Sequence, residues 1–198
     1  MADTIFHCLE NRVFENENQI VRAFVYENYS IEPHNHEFYE MNIILGGTGT
    51  HNINNRGFTV KTGDVFVIPP KTVHSYSDTE NLDVYHLLMH HCFIESNRAE
   101  ANEVKGFIQF IEIEPFLRKN YPDAMFLHLL PNNLNRLKEE LRFIADGNGF
   151  DGEEFYSMKN HAVWKILYWL SYLLDKQMNS NPDTVKNKHG REIIRCLD

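Results

Sequence analysis

The sequence predicts a mostly β fold with α structure toward its C-terminus, an antiparallel β-barrel followed by an antiparallel helical pair. Three observations predict it. Short β-rich runs separated by Gly, Pro, Asn and Asp fill the first half, two helical periods follow Cys92, and between them lies only the short connection "GNGFDG". The 198 residues, 42% hydrophobic and 13% aromatic, suffice for one sizeable core with an appendage.

The β-rich runs are "IVRAFVYE", "YEMNIIL", "GTHNI", "FTVK", "DVFVIP", "VHSY" and "DVYHLLM". Asn54 to Gly57, "NNRG", supplies residues that tolerate positive φ and marks a hairpin tip, and Gly63-Asp64 marks the next turn. In "PNNLNRLKEELRFIADG", Leu134, Leu137, Leu141 and Ile144 fall at helical spacing between an Asn-rich start and a Gly stop. A second helix, from about Gly152 to Met178, carries Trp164, Leu167, Tyr168, Leu170, Ser171 and Leu174. Its apolar surface is too broad for a lone solvent-facing helix and requires a partner surface. The expected division is a barrel over 1–130, a helical hairpin over 131–178, and over 179–198 a polar linker followed by "REIIRCLD", an amphipathic period that reads as the start of a further domain.

Charge and cysteine content exclude several functions. The net charge of −9 is spread along the chain without a basic run, so this segment alone is not expected to grip DNA. Cys8, Cys92 and Cys196 are odd in number and lack CxxC spacing, which disfavours a disulfide scaffold or a zinc-thiolate site and suits a reducing cytoplasm. The start "MADTIFHCLE" is unlike a signal peptide, and no apolar run reaches the ~18 residues of a membrane span.

Chemistry concentrates in "EPHNHEFYEMNIILGGTGT". On an extended segment His34, His36 and Glu40 share one face, giving half of a metal site or a polar lining. With His74 they make a set of three imidazoles and a carboxylate suited to zinc, nickel, manganese or iron; the alternative is an ordinary polar interior. His51, His86 and His90 are further candidates, His86 and His90 being four apart on an expected strand, although surface or rim positions account for them equally simply. Tyr39 and Tyr76 flank the two histidine segments and could offer a ring face and a hydroxyl to a sugar, or pack in the core. No GxSxG turn, Cys-His motif or phosphate loop is present, which disfavours an enzyme that works without a metal. Lys138, Glu139 and Glu140 read as a solvated helix face.

The run from His34 to Gly47 resembles the first motif of the cupin (RmlC-like) barrels, and Gly63, Pro69 and His74 in "GDVFVIPPKTVHSY" resemble the second. Asn28 and Lys71 stand where those motifs have glycine, and Asp78 where they have asparagine. Nearly the whole chain is similar to the sensor half of AraC-type transcription regulators, with "IEPFLRKN", "FLHLLP" and the two helices as its continuation. The resemblance implies a barrel that binds a small effector such as a sugar, a helical pair that forms a homodimer, and DNA contact through a helix-turn-helix domain after the linker. The three-and-four spacing of Trp164, Leu167, Tyr168, Ser171 and Leu174 makes them the expected dimer face, the alternative being a monomer in which they cover the barrel, and the effector is expected at His34, His36, Glu40, His74, Tyr39 and Tyr76. A metal-dependent cupin enzyme, a dioxygenase or sugar isomerase, is the competing expectation.

Overall fold

The computed structural model describes residues 5–14, 19–54, 56–120, 126–146 and 152–180. The expected linker and the segment "REIIRCLD" lie outside the described residues from 181 onward, and the last helix runs to Ser180. The strands are β1 (Phe6–Cys8), β2 (Val21–Tyr26), β3 (Ile31–His36), β4 (Tyr39–Ile53), β5 (Arg56–Lys61), β6 (Asp64–Ile68), β7 (His74–Met89) and β8 (Leu127–His128). The helices are α1 (Glu10–Val13), α2 (His91–Ser96), α3 (Arg98–Asn102), a π turn (Gln109–Ile113) running into α4 (Glu114–Asn120), α5 (Pro131–Asp146) and α6 (Gly152–Ser180).

Two long strands organise the sheet. "YEMNIIL" and "GTHNI" form one strand, β4, and "VHSY" and "DVYHLLM" form another, β7. Their mutual register shifts between Ile44 and Thr50, where the glycines fall, so both strands bend there. One end of the β4–β7 pair carries β6 and β2, and the other carries β5 and β3. The hairpin at Asn54 joins β4 to β5 as expected, while β1 pairs in parallel with β3, the one departure from antiparallel order.

Both faces of the central strands are buried, which is why their sequences are continuously apolar rather than alternating. On β4, Met41 and Ile43 join a core shared with Leu137, Leu141, Ile166, Leu170 and Leu174 of α5 and α6. Ile44, on the other face, packs inside the barrel with Val60, Phe66, Tyr76, Leu82 and Val84. The helices α5 and α6 touch through Arg136 over Trp169, Glu140 with Lys165, and Phe143 against Phe155. The stretch 91–120, expected to belong with the strands, is largely helical. Arg118 of α4 is buried, pairs with Glu114 at 2.7 Å, donates to the Val67 carbonyl at 2.6 Å and stacks over Phe66, which fastens α4 to β6.

The positions that depart from the motif, two of them glycine positions, retain a left-handed backbone. Asn28, Lys71 and Asp78 all have positive φ, at 51°, 63° and 50°. Asn and Asp tolerate this region, whereas Lys is strained there. Gly47 is more constrained, because a Cβ at its φ of 73° would lie 2.1 Å from the Asn81 carbonyl oxygen. Gly47→Ala is therefore expected to destabilise the fold by more than about 1 kcal/mol in urea denaturation, while Lys71→Gly should stabilise it by roughly 0.5–1 kcal/mol. A neutral Gly47→Ala would contradict the bent-strand geometry.

Candidate functional site: a buried carboxylate ringed by histidines

Strand parity and register assemble the site. Glu40 and Asn42 point into the barrel from β4, and Asn42 lies opposite His86 of β7. His34 and His36 face inward from β3, and His34 lies directly opposite His74. At the far end of β4, His51 lies opposite Tyr76. His34, His36, Glu40, His51, His74 and His86 are all buried.

Glu40 is the hub. Its Oε1 accepts a hydrogen bond from Nδ1 of His86 at 2.6 Å. Its Oε2 lies 3.1 Å from Nε2 of His36 and 3.6 Å from Nε2 of His74. Those two ring nitrogens are buried without an aligned hydrogen-bond partner, as is Nε2 of His86. Backbone carbonyls orient two rings: Nδ1 of His34 donates to Glu32 at 3.0 Å, and Nδ1 of His36 donates to Phe38 at 2.7 Å. Because a carbonyl only accepts, these bonds put a proton on Nδ1 of both rings, which turns the Nε2 lone pair of His34 toward the centre, whereas Nε2 of His36 can hold the Glu40 oxygen beside it only as a donor. His51 supports His74 from below, with Nε2 3.4 Å from His74 Nδ1 and its ring stacked on Tyr76.

Electrostatics sharpen this arrangement. Burial opposes ionisation of Glu40, but the contacts with His36 and His86 and the nearby rings outweigh it and hold the carboxyl well below its usual range. Burial holds His34, His51 and His74 below the ordinary imidazole value; His74 and Arg118 reinforce the effect at His51, and Glu40 only partly opposes it at His74. The result is an ionised carboxylate close to the neutral imidazoles of His34, His51 and His74. Burial also pushes the Tyr76 hydroxyl up, so it stays protonated, and it accepts a hydrogen bond from Asn42 at 3.2 Å.

A cavity of about 480 Å³ opens above this ring, within the range of small-molecule sites. His34, His36, Glu40 and His86 line its polar side, and Phe24, Tyr26 and Tyr29 its aromatic side. Phe24 stacks on His86 with centroids 5.3 Å apart, and Tyr26 stacks on Tyr29 at the same distance.

Of the expected effector residues, His34, His36, Glu40, His74 and Tyr76 come together. Tyr39 does not: adjacent to Glu40 on one strand, it must point the opposite way, and it packs on the helical core beside Arg98. His86 is a member of the ring rather than a rim residue, and so is His51. His90 lies beyond the end of β7 and accepts from the Cys92 amide at the start of α2, so it does not share the face of His86. Sequence reasoning also missed Arg22, Phe24 and Tyr26, whose alternation on β2 marks an inward face.

The expected dimer face needs a larger correction. Leu167, Ser171 and Leu174 are fully buried within this chain and leave no area for a partner. The segment around the π turn covers them, and Gly106 approaches so closely that a Cβ there would lie 2.4 Å from the Ser171 carbonyl oxygen. Trp164 and Tyr168 are partly buried, Trp164 stacking on Phe93 and Tyr168 accepting from Asn97.

The fold and site define a small-molecule-binding β-barrel with a polar, histidine-rich floor. Residues 18–146 match the AraC-like ligand binding domain, and the chain belongs to that family. It is 30% identical over 95 residues to the HTH-type transcriptional activator RhaR of Enterobacter sp. (strain 638), covering 48% of this chain and 34% of that protein. It is 31% identical over 81 residues to RhaR of Salmonella arizonae, covering 40% and 29%. The chain thus spans about a third of the length of the curated relatives it matches. Among solved structures it is similar to a cupin protein from Bacteroides fragilis, with 18% identity, a TM-score of 0.33 and coverage of 36% of this chain and 66% of that one.

The residues here fit a metal ion. His34, Glu40 and His74 each bring one ligand atom within 4.8 Å of the other two. His36 adds its buried, unpartnered Nε2 beside Glu40, although its ring lies 6.4 Å from that of His34. The donor set is also self-consistent without a metal, because Glu40 ties the rings together. Glu40→Ala, which leaves the Nδ1 donor of His86 buried without its acceptor, is expected to destabilise the protein by about 1–3 kcal/mol in urea denaturation. A loss below ~1 kcal/mol, the value of an exposed ion pair, would show that the network is not closed.

Proposed function

We propose that this chain is the effector-sensing and dimerisation domain of an AraC-type transcription regulator, and that its effector is a small hydroxylated molecule, a sugar or sugar acid. The observation that carries the proposal is the cavity with bare imidazole nitrogens on one side and aromatic rings on the other. A sugar presents the complementary pattern of hydroxyl donors and an apolar C–H face. The family membership and the similarity to transcriptional activators support the regulatory role. DNA contact is assigned to a helix-turn-helix region C-terminal to this domain, in keeping with the net charge of −9 here. No helix among the described residues is long and apolar enough to cross a membrane, and Cys8 and Cys92 are free thiols, which suits a cytoplasmic regulator.

His34, His36, Glu40 and His74 would hold a divalent ion such as zinc, nickel, manganese or iron. When bound, it would supply a fixed positive charge for an effector hydroxyl or carboxylate. The histidine set also favours a second reading, a metal-dependent cupin enzyme. The dimer is proposed to form on the outer side of α6, where Met158 and Tyr172 are exposed and Tyr168 is half-buried, rather than on the buried leucines.

Four measurements test these assignments. In a thermal-shift screen of sugars and sugar acids, an effector at a hundredfold its Kd should stabilise the protein by about 2.7 kcal/mol. The same compound should be recovered unchanged after prolonged incubation; conversion to a product would favour the enzyme. Untagged protein purified without chelator should carry near-stoichiometric metal that the His36→Ala/His74→Ala double variant loses, and metal retained in that variant would remove the proposed ligands. In sedimentation, Tyr172→Arg should give a folded monomer, and a monomeric wild type would end the dimer assignment.

A further inference from the structure

The charge balance of the cavity is incomplete. Among its lining residues Glu40 is the one carboxylate, and His86 at 2.6 Å and His36 at 3.1 Å already engage its two oxygens. Arg22 is the one permanent cation in the lining. It projects from β2 on the same face as Phe24 and Tyr26, between the aromatic wall and α1. Its Nη1 donates to the Val13 carbonyl at 3.0 Å, and its guanidinium carbon lies 6.0 Å from the centre of the Phe24 ring. The side chain is thereby held in place while most of its N–H fork is left for another acceptor. No carboxylate among the described residues pairs with it.

A second cation reinforces the field. Lys159 of α6 is 8% exposed, and it too has no carboxylate partner among the described residues. Burial lowers its proton affinity, and the charge of Arg22 lowers it further, which puts the two cations within electrostatic reach of each other. A partly buried guanidinium fixed by a single backbone carbonyl, with another cation nearby and with the one carboxylate among the described lining residues already engaged by histidines, is a half-made ion pair. The missing half is an anion, and a planar carboxylate matches the guanidinium fork in two parallel hydrogen bonds.

We propose that the effector of this cavity carries a carboxylate that Arg22 binds, so that the site selects a sugar acid over the neutral sugar of the same skeleton. This rests on the reading of the cavity as the effector site. The ring hydroxyls then face the bare Nε2 of His86 and the histidine floor, and the carboxylate lies toward α1. The selection is electrostatic as well as geometric, because a neutral hydroxyl at that end leaves the guanidinium without its counter-charge.

The test compares glucuronate, galacturonate and gluconate with glucose and galactose by calorimetry on the wild type, Arg22→Met and Arg22→Lys. The expected result is that at least one acid binds the wild type more tightly than its neutral counterpart, on the order of tenfold to a hundredfold, the worth of a charge-assisted hydrogen bond. Arg22→Met should abolish that preference by weakening the acid far more than the neutral sugar. Arg22→Lys, which keeps the charge but loses the fork, should retain part of it, and circular dichroism establishes that both variants fold. Neutral sugars binding as tightly as the acids would overturn the carboxylate inference and leave the effector reading standing. A preference for acids that survives in Arg22→Met would likewise overturn the assignment to Arg22 and shift it to the histidine floor. Binding of neither class would remove both the inference and the effector reading.

Discussion

A carboxylate buried inside a barrel is tolerated only when its surroundings are arranged for it. Glu40 is 4% exposed, and an isolated ion there would cost several kcal/mol. Its two oxygens face three histidines contributed by two further strands: His36 from β3, and His74 and His86 from opposite ends of β7. Those strands must therefore converge on β4 at one depth. The carbonyls of Glu32 and Phe38 fix the inward rings in turn, so the ring nitrogens that face the cavity are set by backbone geometry rather than by free side-chain rotation.

The bend in β4 and β7 makes that convergence possible. With the register shifting between Ile44 and Thr50, one strand pair places Glu40 and His86 at one end and His51 and His74 at the other, all on the inner face. The outer face of the same residues is committed to the helices: Met41 and Leu87 pack with α5 and α6 while their neighbours Glu40 and His86 line the site. Site and helical layer thus share a single wall one strand thick. The clamp of Gln177 on β8, which accepts from the His128 amide and donates to the Phe126 carbonyl, adds a second attachment of α6 to the sheet. A ligand that moves β4 or β7 moves the surface on which α6 rests.

Much of this was legible in the sequence where the controlling distances are short. His34, His36 and Glu40 follow from strand parity alone, and so does the outward turn of Tyr39, had the same rule been applied to it. The glycine-like positions at Asn28 and Lys71 were visible as departures from the motif, and their positive φ shows that the backbone, not the residue type, is what the motif encodes. His51 and His86 were not legible, because their place depends on the register of β4 against β7, which the glycine bulges set. The helices over 91–120 were missed for a different reason. The π turn at Gln109–Ile113 and Pro115 in α4 interrupt the 3.6-residue period that would have announced them. Without that layer, the apolar face of α6 looked unpartnered, although Phe107, Phe110 and Ile111 cover it from within the chain.

The central claim is that Glu40 organises a ring of imidazoles whose bare nitrogens face the cavity. Long-range proton–nitrogen NMR correlation of the histidine rings, recorded on metal-free protein near pH 7, measures this most directly. The structure predicts that His34 and His36 each carry a proton on Nδ1, with Nε2 of His34 unprotonated, and that His86 carries a strongly hydrogen-bonded proton on Nδ1. Rings of His34 or His36 without a proton on Nδ1, or averaging freely between tautomers, would contradict it.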